Sequence, residues 1–483
     1  MQRFEHMHKN LLVKQTHAHF TIKRLFATLM MVFMIGITAN PSVAMNIQQA
    51  AGPTYIVQAG DTLNEIAIRF GVSTDEILSA NALTDPNSLF VGQSIIIPGL
   101  EGITGVLTSG VLPLSTSLTQ LTRQYRLRQS DLVILNRLTS PSEMIAGTSI
   151  IVPINETQSQ LEPIPPLKPG ESTLESAILA GISPWTLIEQ NQSKSTWGLL
   201  TGEPLFASID PEWFDSESPA VVEISVNQLP IIQGETLVLE IKTPELMEIH
   251  GSFNEEPLNF FANDGEGYIS FHGIYALAEP GVYPLRINAE SDNGNRLDFE
   301  QLVLLSPGFY GNEWVTIEEV IYLDAEKIAE EDAYLQPFLD LVTSERYWEG
   351  RFQYPVDEPC FNSPFGLRRN YNEGLLFYYH SGLDFRVCAE NLNIYSPASG
   401  VVVVADELFT KGNAVYIDHG WGVISGYAHL NDILVEVGDF VQPGDLIGTI
   451  GDTGRSAGPH LHFEINVSGT PVNPQTWLTQ TFP

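Results

Sequence analysis

Three stretches in the first half of the chain repeat one pattern of apolar and polar positions. In Tyr55–Pro98, "YIVQAGDTLNEIAIRFGVSTDEILSANAL" and "LFVGQSIIIP", residues Leu63, Ile66, Ala67 and Phe70 fall at i, i+3, i+4 and i+7. That spacing predicts an amphipathic helix. Asp61 or Thr62 can cap its start and Gly71 its end. "STDE" at Ser73–Glu76 is a capping box for a second helix, and the short apolar runs "YIV" and "SIIIP" flank the pair, so the unit reads β-α-α-β. The pattern recurs over 105–153 and more weakly over 170–210, where the opening strand is not visible. Asn81, Asn136 and Asn191 end the second helix of each copy at a constant spacing of 55 residues. Between the second and third copies, over 154–169, the prolines of "QLEPIPPLKPG" predict an extended, semi-rigid linker.

From 218 to 306 the period changes to two. "TLVLEIKT" alternates Leu237, Leu239 and Ile241, "GVYPLRINAE" alternates Tyr283, Leu285 and Ile287, and turn signals such as "SDNGN" separate the runs. This predicts an immunoglobulin-like antiparallel β-sandwich, with His250 and His272 as structural residues. Residues 307–350 read as a helical linker whose acidic run forms a solvated face. From 351 to 483 short Gly- and Val-rich strands ("GVVVVADE", "NAVYIDHG", "DLIGTIG", "HLHFEINV") predict a mostly antiparallel all-β domain.

At 483 residues the chain is multidomain. Its formal net charge of −35 argues against nucleic acid or an anionic membrane surface as partner, because phosphate contacts need Lys and Arg. The N-terminal 1–44 reads as a signal peptide or uncleaved anchor. Lys9, Lys14, Lys23 and Arg24 precede the apolar run Leu25–Ala39, which is short for a full membrane span. The remainder is then expected outside the cytoplasm, and His6, His8, His17 and His19 belong to the leader. Cys360 and Cys388 are the only cysteines. An even count in an exported chain predicts a disulfide between them, bracketing the residues considered next.

"GPHLHFEI", Gly458–Ile465, places His460, His462 and Glu464 on one strand face and Leu461, Phe463 and Ile465 on the other. Such a face suits a metal site or an acid–base pair. "YHSGLDF" offers His380 and Asp384, which in a straight strand would lie about 13 Å apart. Two ligands of one metal approach within about 4 Å, so Ser381-Gly382 must bend the chain if both bind it. Histidine nitrogens with a carboxylate are a donor set typical of catalytic zinc with an open fourth position.

H-x-x-x-D at His380–Asp384, "YAHL" around His429 and H-x-H at His460–His462 together resemble the lysostaphin-type zinc metallopeptidases, which cut peptides of bacterial peptidoglycan. "SPFGLRR", "GNAVYIDHGWG", "VGDFVQPGDLIGTIGDTGRSAGPHLHFEI" and "PVNPQTWL" extend the likeness from about Phe352 to the C-terminus. The 55–98 repeat resembles a LysM domain, a module that binds N-acetylglucosamine-containing glycans; the 105–153 repeat resembles it moderately and the 170–210 repeat is degenerate. The resemblance implies one Zn2+ held by His380, Asp384 and His462, with His429 and His460 beside it as catalytic groups. Tyr427, two residues before His429 and on its strand face, and Glu464 are candidates to support the site or touch substrate. Strand packing for Tyr427 and a solvated position for Glu464 are the plain alternatives. His419 reads as structural.

"VEVGDFVQPGDLIGTIG" also looks like a biotin or lipoyl carrier, but such carriers need a lysine and none lies between Asn413 and Pro483. The combined reading is an exported zinc endopeptidase acting on peptidoglycan stems or crosslinks, with peptidoglycan as partner and any membrane contact confined to the N-terminal anchor. The alternative is a non-catalytic scaffold or activator of another cell-wall hydrolase. The five intact polar positions favour the enzyme.

Overall fold

In the computed structural model three asparagines do the same work in three repeats. Strand β1 (Thr54–Ile56), helices α1 (Leu63–Phe70) and α2 (Thr74–Ala80) and strand β2 (Ser94–Ile96) form the first unit. Asn81 Nδ2 donates to the Ile77 and Ile96 carbonyls, both at 2.8 Å, and its Oδ1 accepts from the Ile96 N–H at 2.6 Å. The amide thus imitates a strand residue and ties the end of the helix to the closing strand. Asn136 makes the same bonds to Leu132 and Ile151, and Asn191 to Leu187 and Phe206. Thr62, with Glu65 reciprocating, caps α1; Asp61 instead accepts from Tyr55 and pairs with Arg69.

The second unit comprises β3 (Val106–Val111), α3 (Leu118–Gln124), α4 (Gln129–Asn136) and β4 (Ser149–Ile154). The third comprises β5 (Glu162–Ile164), α5 (Thr173–Leu179), α6 (Pro184–Gln190) and β6 (Leu205–Ala207). Its opening strand, β5, comes from "EPI" inside the stretch read as a linker. Pro163 sits on this two-stranded edge, where a missing N–H is tolerated. The units are docked rather than strung. β1 pairs in parallel with β3, Arg123 bonds Glu203, and Ala146 exchanges backbone bonds with Leu302 and Leu304 of the next domain.

The structure describes residues 52–155, 161–168, 170–208, 222–243, 245–263 and 267–483. The leader read over 1–44 and its four histidines lie outside them. Among the described residues no helix is long and apolar enough to cross a membrane.

Strands β7 (Glu223–Val226), β8 (Ile231–Ile232), β9 (Thr236–Lys242), β10 (Met247–Phe253), β11 (Glu256–Pro257), β12 (Phe261–Ala262), β13 (Tyr268–Gly273), β14 (Gly281–Ser291) and β15 (Arg296–Ser306) make two sheets. Their orders are β11-β10-β14-β15-β8 and β12-β13-β9-β7. Leu237, Leu239 and Ile241 of one meet Leu285, Ile287, Val303 and Leu305 of the other. Phe261, Ile269 and Phe271 face away from that core. They join Trp348 of the 307–350 segment and Trp421 and Trp477 of the C-terminal domain in one continuous core, and Trp477 Nε1 donates to Thr236 Oγ1 at 2.9 Å.

The 307–350 segment is only partly helical. It holds β16 (Asn312–Val315), a short 3-10 turn and α7 (Ala325–Leu339). Its acidic run is not wholly solvated: Glu331 is buried and accepts from the Thr410 N–H at 2.6 Å and from the Thr410 hydroxyl.

The last domain contains β17 (Phe361–Ser363), β18 (Arg368–Tyr371), β19 (Leu376–Tyr379), β20 (Leu383–Arg386), β21 (Asn393–Tyr395), β22 (Gly400–Leu408), β23 (Gly412–Asp418), β24 (Val423–Ile433), β25 (Phe440–Val441), β26 (Leu446–Ile450), β27 (His460–Val467), β28 (Thr470–Val472) and helix α8 (Pro474–Thr479). The main sheet runs β17-β20-β27-β24-β23-β22-β25 and is antiparallel throughout. A second, small sheet, β16-β18-β19, brings the linker strand beside the domain.

Candidate metal centre

Strands β20 and β27 are neighbours in a register that pairs Asp384 with His462 and Arg386 with His460. β19 stops at Tyr379 and the chain bends at Gly382 before β20 resumes, which swings His380 over Asp384. Gly382 is not among the residues of positive φ. Its role is spatial: a Cβ there would lie 2.4 Å from the Phe463 carbonyl oxygen and 2.8 Å from His462 Cε1.

Three buried donor atoms converge. His380 Nε2 and His462 Nδ1 each lie 2.8 Å from Asp384 Oδ1 and 3.0 Å from one another. The outward nitrogens set the tautomers. His380 Nδ1–H donates to the Pro364 carbonyl at 2.7 Å, and His462 Nε2–H donates to Glu464 Oε1 at 2.9 Å. Both inward nitrogens therefore present lone pairs to a carboxylate oxygen, an arrangement that a cation satisfies and a proton does only in part. Burial pushes the His380 imidazole down to about 4, so it stays neutral, as a metal ligand must. Burial alone would raise the Asp384 carboxyl, but a proton on the inward nitrogen of His380 or His462 would outweigh it and hold the group well below the usual carboxylate range, so the cluster favours positive charge at its centre.

A second ring of groups holds the three donors. Arg369 Nη2 donates to Asp384 Oδ2 at 2.8 Å, while its Nε donates to Glu313 Oε2 at 2.7 Å. Glu464, read above as a solvated strand position or a supporting group, is buried. Besides His462 it accepts from Ser381, Lys411 and Tyr416. The solvated reading fails because Ser381 before β20, Lys411 before β23 and Tyr416 of β23 all bring their side chains onto this face of β27.

His429 interrupts β24. Its φ is 66°, and the register with β23 shifts between Asn413 and Val415 so that Ala428 and His429 together oppose a single residue. This is a β-bulge. His429 Nδ1–H donates to the Thr453 carbonyl at 2.8 Å, leaving Nε2 free. His460 Nδ1–H donates to the Gly458 carbonyl at 2.8 Å, and its Nε2 lies 3.8 Å from Asp384 Oδ1. The His429 and His460 rings are 4.9 Å apart. Both line a cleft of about 480 Å³ with Trp314, Arg369, Arg386 and Arg455.

Tyr427 does not reach this cleft. The bulge breaks strand alternation between 427 and 429, so the Tyr427 ring packs in the core 5.4 Å from Phe463 and its hydroxyl bonds Ser425. His419 is also fully buried and apart from the cluster, bonded to the Ser399 carbonyl and to Ser425 Oγ. Cys360 and Cys388 are joined by a disulfide beside β17, the strand that edges β20.

Residues 378–474 match Peptidase family M23. The C-terminal domain belongs to that family. The matched span contains His380, Asp384, His429, His460 and His462. Residues 55–98 match the LysM domain, so the first repeat is a LysM module. Within the M23 domain the chain is 40% identical over 122 residues to the peptidoglycan DD-endopeptidase ShyA of Vibrio cholerae serotype O1, covering 25% of this chain and 28% of that protein. It is 39% identical over 122 residues to the DD-carboxypeptidase/endopeptidase Mpg of Neisseria meningitidis serogroup B, covering 25% and 27%. The chain thus spans little more than a quarter of the length of these curated relatives. A solved structure of the catalytic domain of the antimicrobial peptidase lysostaphin from Staphylococcus simulans is 26% identical, covering 30% of this chain and 98% of that one, with a TM-score of 0.20.

Three residues of the M23 domain's site were not singled out by the sequence reading. Arg369 lay within "SPFGLRR" but carried no spacing signal. Lys411 reaches Glu464 across 53 positions, and Glu313 comes from the linker strand. Only the sheet order reveals these two.

Proposed function

We propose that the protein is an exported zinc metalloendopeptidase that hydrolyses peptide stems or crosslinks of peptidoglycan while its first LysM module holds the glycan strand. The observation that carries this is the convergence of His380 Nε2, Asp384 Oδ1 and His462 Nδ1 with two further imidazoles on one cleft. The lone-pair geometry fits zinc, which His380, Asp384 and His462 would hold. When bound, zinc supplies Lewis-acid polarisation of a carbonyl and lowers the pKa of a water to about 7.

The chain's own residues do the rest. His429 and His460 each have Nδ1 committed to a backbone carbonyl, so Nε2 is the atom that accepts or returns a proton in the cleft. Once protonated, the same atoms donate to the oxyanion that develops on the scissile carbonyl. Burial holds the His429 imidazole well below its ordinary value, so it enters the reaction as a neutral base. Arg369 and Glu464 keep Asp384 and His462 oriented.

The test is digestion of purified peptidoglycan by the full-length protein, with fragments identified by mass. Release of peptide-cleaved fragments that stops with chelator, returns with zinc and is absent in Asp384→Ala supports the reading. Intact peptidoglycan in every arm sinks it.

A further inference from the structure

Of the three arginines lining the cleft, Arg386 and Arg455 make no ion pair with a carboxylate among the described residues; Arg386 is exposed, whereas Arg455 is half-buried. Arg455 lies two residues after Thr453, whose carbonyl orients His429, and its own N–H is tied to the Thr410 carbonyl at 2.8 Å. Its guanidinium sits over two tyrosine rings, 4.9 Å from the centroid of Tyr371 and 5.4 Å from that of Tyr378. The side chain lines the large cleft and also a small inner cavity of about 30 Å³ shared with His380, His429 and His462. Nη1 is buried with no hydrogen-bond partner among the described residues. Arg369, the neighbouring arginine, is fully engaged by Glu313 and Asp384.

The chain has 58 acidic and 23 basic residues, yet the half-buried Arg455 feels Asp332 only at a distance and has no carboxylate in ion-pair contact among the described residues. A buried donor left unmade costs roughly 1–3 kcal/mol, and the two tyrosine faces hold the planar fork in place rather than letting it turn to solvent. A fixed guanidinium with a free edge is a receptor for a carboxylate, which it binds by short, charge-assisted bonds.

The geometry points to Arg455 as the group that binds a free carboxylate on the substrate residue next to the scissile peptide bond. The substrate class is then a crosslink to a diamino acid, in which the carbon bearing the scissile nitrogen keeps its carboxylate. The interior of a glycine bridge offers no such group. This assignment rests on the reading of the M23 domain as an active peptidase.

The experiment uses the full-length zinc-loaded protein and two synthetic crosslink peptides, identical except that the carboxylate beside the scissile amide is free in one and a carboxamide in the other. Wild type should favour the free acid by about 10- to 100-fold in kcat/KM, the range of a hydrogen bond to a charged group. R455Q should bring the two within about 3-fold at unchanged zinc content, and R455K should restore part of the preference. Equal cleavage of both by wild type, or a preference that survives in R455Q, overturns the assignment. Calorimetric binding of the amine-side fragment, as acid or as amide, is the second readout and needs no turnover. If neither crosslink is cut but the acid fragment binds in an Arg455-dependent way, the peptidase reading falls and the carboxylate site stands. If acid and amide fragments bind alike, the carboxylate site falls whatever the catalysis shows.

Discussion

Arg369 Nη2 donates at 2.8 Å to Asp384 Oδ2, the carboxylate oxygen turned away from the two imidazoles. The same guanidinium bonds Glu313 on β16, so a strand from the interdomain segment is tied to a candidate metal ligand. Asp384 has one oxygen for the metal and one for the scaffold, and neither can rotate without breaking a charged pair.

Replacing Arg369 should therefore loosen the metal without touching it. Arg369→Gln is expected to weaken zinc affinity by about 10- to 100-fold, the usual scale for groups that orient ligands. Activity should recover as free zinc is raised. Chelator competition measures the affinity, and an unchanged zinc Kd would show that Asp384 is held by its imidazole neighbours alone.

His460 and His462 have the same chemistry but different partners. His462 turns Nδ1 into the cluster, whereas His460 Nε2 stays 3.8 Å from Asp384. His462→Ala should lose zinc and activity together. His460→Ala and His429→Ala should keep near-stoichiometric zinc and lose activity by about 100-fold or more, the scale of a positioned acid–base group. Metal content by atomic absorption decides; a His460→Ala protein as empty as His462→Ala would make His460 a ligand.

His419 predicts an acid-sensitive core. Burial depresses its pKa from 6.5 to about 4, so the folded state resists a proton that the unfolded state takes. Its contribution is complete above pH 6.5 and is lost as pH falls towards 4, about 3 kcal/mol in all. His419→Asn should be less stable than wild type at pH 7.5 but lose less on acidification. Urea midpoints at several pH values give the two slopes, and parallel slopes would remove His419 from the account.

The repeated asparagines predict a graded loss. Asn191 is 1% exposed and makes three backbone bonds; Asn191→Ala strands those groups and should cost about 3 kcal/mol locally. Asn191→Asp should do no better, since a carboxylate would face two carbonyl oxygens. Hydrogen exchange at the Phe206 amide reads the effect, and undiminished protection in the alanine variant would contradict it.

What the sequence determined by itself is local. Helices α1 and α2 and their caps follow from spacings of three and four, the 55-residue asparagine period marks three units, and the alternation of β27 puts His460, His462 and Glu464 on one face. These depend on neighbours along the chain, whose geometry is the same in any fold. The bend at Ser381-Gly382 was legible as a necessity, though not what reserves position 382 for glycine, which is the close approach of the Phe463 carbonyl and the His462 ring. The tertiary structure alone decided which polar groups are buried and with whom. Glu464 is closed in by Lys411 and Ser381, 53 and 83 positions away, so no local pattern could distinguish it from a solvated residue. The bulge at His429 turned Tyr427 into the core, against the alternation that placed both on one face. β5 formed inside a proline-rich stretch because β6 was there to pair with it. In each case burial and pairing came from segments distant in sequence, and their energies outweighed the local preference.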